Sequence, residues 1–451
     1  MTKDMTQGSP RKLILEFVIP LLLGNLFQQF YSLVDTVIVG KFLGVTQLAA
    51  VGATGSINFL IIGFCMGMCS GLGIPIAQKF GAKDESAMRR YVANSAWLGI
   101  IFSVILTVLT VVLCRQILVW MKTPADIIDG SYSYIVIIFA GIPVTILYNL
   151  TSAIIRSMGD SRTPVYFLTM SATLNIVLDL FCILVLHMGV AGAAVATVIS
   201  QAVSGIACLI YMIKKYDVLK MRQGEGKPQP ELMKKLVIMG VPMGLQYSVT
   251  AIGSVVLQSS VNTLGSAAVA AVTAASKISL FFCCPFEALG ATMATYGGQN
   301  MGAGKPERIR KGLREAAVMG VIYSVVAFVV LFTGGKYIAL FFVDAGETAI
   351  LSDVQFMLTI NSAFYIALTF VNTVRFLIQG IGFSGLAVFS GVFEMLARAL
   401  AGFLLVPIFG FGAVCFANPL AWLFADAFLF PAYFMVMRRV EDYLAGKRQH
   451  L

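Results

Sequence analysis

Two carboxylates and an amide stand where an otherwise apolar chain has no structural need of them. Asp35 lies in FYSLVDTV, and Asn175 and Asp179 lie in TLNIVLDL. An ionisable side chain inside a membrane-crossing stretch costs about 3 kcal/mol and usually marks the path of an ion. Asp35 and Asp179 are the only carboxylates deep within the first six apolar stretches. Asn175 and Asp179 are one helical turn apart, so their side chains share a face. Counted along each helix at 1.5 Å per residue, both acids fall roughly 6–13 Å beyond the middle of the bilayer, in its extracellular half. Equal depth allows a shared site. Two carboxylates brought together in a low dielectric cannot both ionise easily. Such a pair can hold a proton, or a bare Na+ coordinated by carboxylate, amide and hydroxyl oxygens. The plainer alternative is that each acid hydrogen-bonds a neighbouring helix.

The second half of the chain carries a different set of charges: Lys277, Glu287, Arg375, Glu394, Arg398 and Asp426. Glu394 and Arg398 are spaced i, i+4 in the favourable order and are expected to neutralise each other as a structural ion pair. Arg375, toward the cytoplasmic end of its stretch, is expected to snorkel. Asp426 reads as a packed, protonated or paired acid, with a substrate contact as the alternative. Pro143 and Pro285 fall inside apolar stretches, where a missing N–H loosens the backbone. They imply either a bend used in transport or a static kink.

Other chemistries find no support. GMCSGLGIP (67–75) lacks the GK[ST] ending and preceding strand of a phosphate loop, and small residues are what close helix packing in lipid requires. The eight cysteines lie within or at the ends of apolar stretches with no CxxC pair, and behave as small hydrophobes. With only His187 and His450 available, no histidine-based active site can be assembled. The sequence implies a chain that is not an enzyme, with no cofactor and no metal beyond a Na+ at Asp35 and Asp179.

The elements that position these residues must be membrane helices. Of 451 residues, 58% are hydrophobic and 12% charged, with a mean hydropathy of +0.87. Soluble domains carry about 25% charged residues. Taking about 20 apolar residues per crossing, twelve spans appear. The first six lie near 13–39, 48–78, 91–113, 132–155, 164–186 and 191–213. The second six lie near 236–262, 268–299, 315–333, 352–378, 385–406 and 413–437. The polar segment 214–235 reads as a cytoplasmic linker between an N-terminal lobe, 1–213, and a C-terminal lobe, 236–451. The net charge of +10 is a topology signal, with no nucleic-acid motif beside it. Of the 32 Lys and Arg residues, 25 fall on the side that holds both termini and only four on the other. By the positive-inside rule both termini are cytoplasmic, in a multi-pass protein of the inner (plasma) membrane.

The halves repeat. QLAAVGATGSINFL (47–60) overlies 268–281, and the same register carries Gln78 onto Gln299 and Gly81 onto Gly302. Further on, IIRSMGDS (154–161) matches LIQGIGFS (377–384) in nearly the same register. Six spans per half is an even number, so both halves insert alike, giving a parallel repeat with its pseudo-twofold along the membrane normal. The fold class is therefore all-α, an integral membrane protein of twelve transmembrane helices in two six-helix lobes.

IPLLLGNLFQQFYSLVDTVIVGKFLG, followed by LAAVG and AQKFGAKD, resembles the first two helices of multidrug and toxic compound extrusion (MATE) transporters. GQNMGAGKPERIRKG answers it after the eighth span. The likeness covers about residues 12–437 and is closer to the DNA-damage-inducible branch. It implies two lobes in a V that export amphipathic compounds, often cationic, in exchange for H+ or Na+ by alternating access. In that branch an Asp of helix one works with an Asn and an Asp of helix five, here Asp35, Asn175 and Asp179. Asn149 and Thr197 match the same polar cluster, and Gln28 and Tyr31 on the face of Asp35 are candidate substrate contacts. Lys277 sits in a segment ordinary for such relatives. Glu287 stands where they more often look uncharged, so it joins Asp426 among candidate substrate-binding residues. The alternative is a lipid-linked oligosaccharide or lipid flippase of the same superfamily. Twelve spans and a first half with two acids favour the exporter, expected to work as a monomer in the bilayer, with no nucleic acid partner.

Overall fold

The computed structural model describes residues 2–447, apart from the side chain of Val45. The described residues are helical with no β-strand. The first half comprises α1 (Pro10–Leu43), α2 (Val45–Ala53), α3 (Gly55–Gly81), α4 (Glu85–Trp120), α5 (Ile128–Ala140), α6 (Ile142–Ser157), α7 (Arg162–Leu180) and α8 (Val190–Lys215). The second comprises α9 (Pro230–Asn262), α10 (Ser266–Gly302), α11 (Pro306–Ala339), α12 (Thr348–Ala363), α13 (Tyr365–Ile381), α14 (Ser384–Leu400), α15 (Val406–Phe409) and α16 (Phe411–Leu444). Among the described residues ten helices are long and apolar enough to cross a membrane, and twelve when the bent pairs α5–α6 and α12–α13 each count as one span. The twelve spans read from hydropathy are these twelve.

Apolar side chains point outward here, as lipid requires. On α4 Ile101, Val104, Ile105, Val108 and Val112 form an exposed stripe at i, i+3, i+4 spacing, and Ile322, Val325, Val326 and Val329 form another on α11. Small residues are buried instead. A Cβ on Gly71 of α3 would meet Gly240 Cα of α9 at 2.6 Å, and one on Gly380 of α13 would meet Ala294 O of α10 at 2.2 Å. Glycine at those places lets two backbones touch.

The internal repeat extends to backbone geometry. Left-handed φ values occur at Gly44 (88°) and Gly265 (95°), and again at Gly189 (62°) and Gly410 (58°). Each pair stands in the register that puts Gln78 on Gln299. π-helical turns follow α7 at Phe181–Val185 and α14 at Ala401–Leu405. The fourth and tenth spans both break, by 47° between α5 and α6 and by 50° between α12 and α13. Pro143 sits at the start of α6, but the second break falls at Phe364 with no proline near it. The bend therefore belongs to the repeated architecture and not to one residue. α10 runs unbroken through Pro285.

The chain divides into two compact units, one holding residues 2–4 and Leu23–Gly244, the other Met5–Leu22 and the chain from Leu245. One changeover follows residue 4, ahead of α1; the other two lie inside α1 and α9, each two residues after a proline, Pro20 and Pro242. The polar segment 214–235 is not a loose tether in the first unit. Arg89 of α4 donates from Nε and Nη2 to the Glu225 carboxylate, at 2.6 and 3.1 Å, with both residues buried. Ser86 Oγ and the Arg222 N–H also donate to it, at 2.9 Å each. Asn94 Oδ1 accepts from Gln229 N at 2.7 Å, and Trp97 Nε1 donates to Gly226 O at 3.1 Å. These bonds hold Glu225 well below the usual carboxylate range, at about 2, the Arg89 guanidinium being the main cause.

Candidate functional site

The first unit brings together the residues that its sequence set apart. α1 supplies Tyr31 and Asp35 one turn apart, α7 supplies Asn175 and Asp179 one turn apart, and α8 supplies Thr197. The Asp35 and Asp179 carboxyl groups lie within hydrogen-bonding reach of each other. Asp179 is fully buried and Asn175 nearly so. With its amide nitrogen toward Asp179 Oδ2 (3.1 Å), Asn175 accepts from Thr197 Oγ1 (3.2 Å) and Thr197 N (3.1 Å). The Tyr31 hydroxyl lies within reach of Thr197 as well. One chain of polar contacts thus runs Tyr31, Thr197, Asn175, Asp179, Asp35. The Oδ1 atoms of both acids are buried with no hydrogen-bond partner. Two carboxyls can share a hydrogen bond only when one carries a proton, because an ionised carboxylate accepts and never donates.

The other candidates lie apart from this chain. Asn149 Nδ2 donates to Thr145 O on its own helix at 2.8 Å, while Thr145 Oγ1 donates to Gln201 Oε1 at 2.8 Å. Gln28 is half-buried on the Tyr31 and Asp35 face of α1, and among the described residues no hydrogen bond joins it to the acids. Sequence reasoning missed Tyr134 of α5, which is buried within electrostatic reach of Asp35, Tyr31 and Asp179. A tyrosine in an apolar span was the available signal. Beneath the acids, α7 passes directly into the π turn at Phe181, and π turns inside helices recur at functional sites.

In the second unit Glu394 of α14 lies between two guanidiniums. Arg398 Nη2 donates to Glu394 Oε2 at 3.3 Å, as the i, i+4 spacing predicts, and Arg375 Nη1 of α13 donates to Oε1 at 2.6 Å. Arg375 does not snorkel. It is 8% exposed and bonded to an acid of the neighbouring helix, which removes the need to reach water. Asp426 of α16 is buried within electrostatic reach of Arg375 and Glu394. Glu287 and Lys277 of α10 are exposed, Glu287 within reach of Arg375. An apolar cleft of about 620 Å3 between α14 and α16 is lined by Phe393, Phe424 and Phe428 among others. No group of three or more His, Cys, Asp or Glu suited to a metal occurs among the described residues.

A duplicated set of twelve membrane-crossing helices, with a buried and a half-buried carboxyl paired among them, is the architecture of a transporter. The profile of the MatE family matches the chain twice, over residues 20–181 and 242–404, once in each half. The chain belongs to this family of MATE transporters, and it is not an enzyme. Among curated relatives it is 30% identical over 355 residues to the probable multidrug resistance protein YoeA of Bacillus subtilis, covering 77% of this chain and 76% of that one. It is 25% identical to the probable multidrug resistance protein NorM of Thermotoga maritima, covering 71% and 70%. The multidrug export protein MepA of Staphylococcus aureus (strain N315) is 23% identical over 88% of this chain and 86% of its own. Among solved structures, MATE in complex with MaL6 superposes with a TM-score of 0.91 at 23% identity, covering 98% of this chain and all of the other. An outward-facing multidrug resistance MATE transporter of the MOP superfamily gives 0.90 at 23% identity, over 98% and 100%. These structures bear on the fold.

Proposed function

We propose that this chain is a cation-coupled antiporter that exports amphipathic organic compounds, drugs among them, from the cytoplasm by alternating access. The observation that carries the reading is the approach of the half-buried Asp35 and the buried Asp179 carboxyls to within hydrogen-bonding reach of each other, where a membrane protein tolerates acids only for a purpose. A carboxyl pair that shares one proton is a proton-binding site, which supports H+ as the coupling ion. Asn175, Thr197 and Tyr31 orient the pair, and Gln28, Tyr31, Glu287 and Asp426 are candidate contacts for cargo. The names of the relatives, multidrug resistance and multidrug export proteins, support a drug-like cargo. Ion entry from outside weakens the hold on substrate, and substrate binding from the cytoplasm weakens the hold on the ion, because coupling between two sites is reciprocal. Both termini then face the cytoplasm of a cell whose plasma membrane carries the protein.

The test is efflux of an amphipathic dye from proteoliposomes under a pH gradient or a Na+ gradient, for wild type and Asp35→Asn. Transport should follow the pH gradient and be lost in the variant while insertion is preserved. Transport driven by Na+ alone would change the ion and keep the antiporter. Movement independent of either gradient, or coupling that survives Asp35→Asn, points instead to a flippase or uniporter.

A further inference from the structure

The charged cluster of the second half lies on α14 and α16, the repeat equivalents of α7 and α8 of the acid site, with Arg375 added from α13, the equivalent of α6. The π turns pair Phe181 with Ala401 and so align α7 with α14. In that register Asp179 corresponds to Ala399 and Asn175 to Met395, so the acid pair has no second copy. The left-handed glycines Gly189 and Gly410 align α8 with α16, and there Thr197 corresponds to Asn418. Thr197 bonds Asn175 in the first half. Its counterpart Asn418 accepts from Arg398 Nε at 3.2 Å in the second. The α7–α8 junction thus carries an acid and an amide, and its counterpart α14–α16 carries a guanidinium.

The guanidiniums are not saturated. Arg375 Nε and Arg398 Nη1 are buried N–H groups with no hydrogen-bond partner, and both residues are less than a tenth exposed. Buried donors on a charged group normally find partners, and orphans call for an explanation. Two cations face one bonded carboxylate, Glu394, which already spends both of its oxygens on them. Asp426 is the nearby acid that could close the network, and its Oδ1 is itself without a partner. The planar fork of a guanidinium matches a carboxylate with two parallel bonds.

We propose that Arg375 and Arg398 form an anion subsite that takes the carboxylate of a zwitterionic or anionic amphipath, with Glu394 as the internal anion that competes with it. The proposal rests on the reading of this chain as an exporter of amphipaths and adds a substrate class to it. A purely cationic amphipath gains nothing from this subsite. One that carries a carboxylate gains two charge-assisted bonds.

The experiment measures equilibrium binding to the purified full-length protein in detergent, by fluorescence anisotropy, with no gradient imposed. The probes are a carboxyl-bearing rhodamine and its methyl ester, xanthene amphipaths that differ only by the anion. The wild type should bind the acid about tenfold more tightly than the ester, the scale of a hydrogen bond to a charged group. Arg398→Gln should abolish that preference and Arg398→Lys should keep part of it. Glu394→Gln, which releases both guanidiniums, should widen it. A wild type with no preference for the acid overturns the proposal. So does an acid-to-ester ratio untouched by Arg398→Gln, or one moved in the same direction by Arg398→Gln and Glu394→Gln, since a purely structural ion pair predicts equal damage from either. Binding is read without transport, so failure of ion coupling in the vesicle experiment is a separate result.

Discussion

At the scale of single residues, the acid pair depends on the amide that holds it. Asn175 links Asp179 to Thr197, and a hydrogen bond to a charged group contributes about 1.5–3 kcal/mol. Asn175→Ala should therefore raise the ion concentration needed for half-maximal transport by roughly tenfold or more, with less effect on maximal rate, measured as dye efflux against external ion. A variant indistinguishable from wild type would leave Asn175 as packing alone. The pair itself was legible in the sequence, because an acid in an apolar span is conspicuous and i, i+4 spacing fixes a shared face. Tyr134 was not, since one aromatic in SYSYIVIIF looks like any other. Nor was the bond between Arg375 and Glu394, which joins different helices and follows from no local spacing.

At the scale of elements, the segment after α8 behaves as part of the first unit. Its composition reads as linker, and only the fold shows that Glu225 is gripped by Arg89. The carboxylate is held at about 2 against an ordinary 4.5. Because the folded value is the lower one, its stabilising contribution is complete above the unfolded value and disappears as pH falls from about 4.5 toward 2. Glu225→Gln should speed hydrogen exchange in residues 217–229 at neutral pH, and the difference from wild type should shrink as pH falls below about 4.5 toward about 2, where the folded carboxylate is half protonated. Equal exchange in both proteins at neutral pH would mean that the grip is not what orders the segment. The breaks in the fourth and tenth spans were only half legible. Pro143 marks the first, but nothing in the sequence around Phe364 announces the second, because tertiary packing and not a missing N–H sets it.

At the scale of the whole molecule, the periodicity of the sequence carries far. Twelve apolar runs, a basic excess on one side and a constant register between the halves can all be read from the order of residues alone. What periodicity conceals is that equal frameworks hold unequal chemistry. The topology makes a direct prediction: cysteines introduced at Lys122 and Lys336 should react with an impermeant maleimide added outside intact cells, whereas one at Lys447 should react only after permeabilisation. Any reversal of that pattern would invert the direction assigned to transport.

Two of the three places where the chain passes between the compact units lie within helices, not at loops. Residues on either side of Leu22 in α1, and of Gly244 in α9, belong to different bodies although one helix carries both. A loop would absorb a displacement at no cost, but a helix resists bending unless a rung of its ladder is missing. Pro20 and Pro242 remove one rung each, two residues short of the changeover. α1 and α9 are therefore softened at nearly equivalent places in the internal repeat, one near the head of each half.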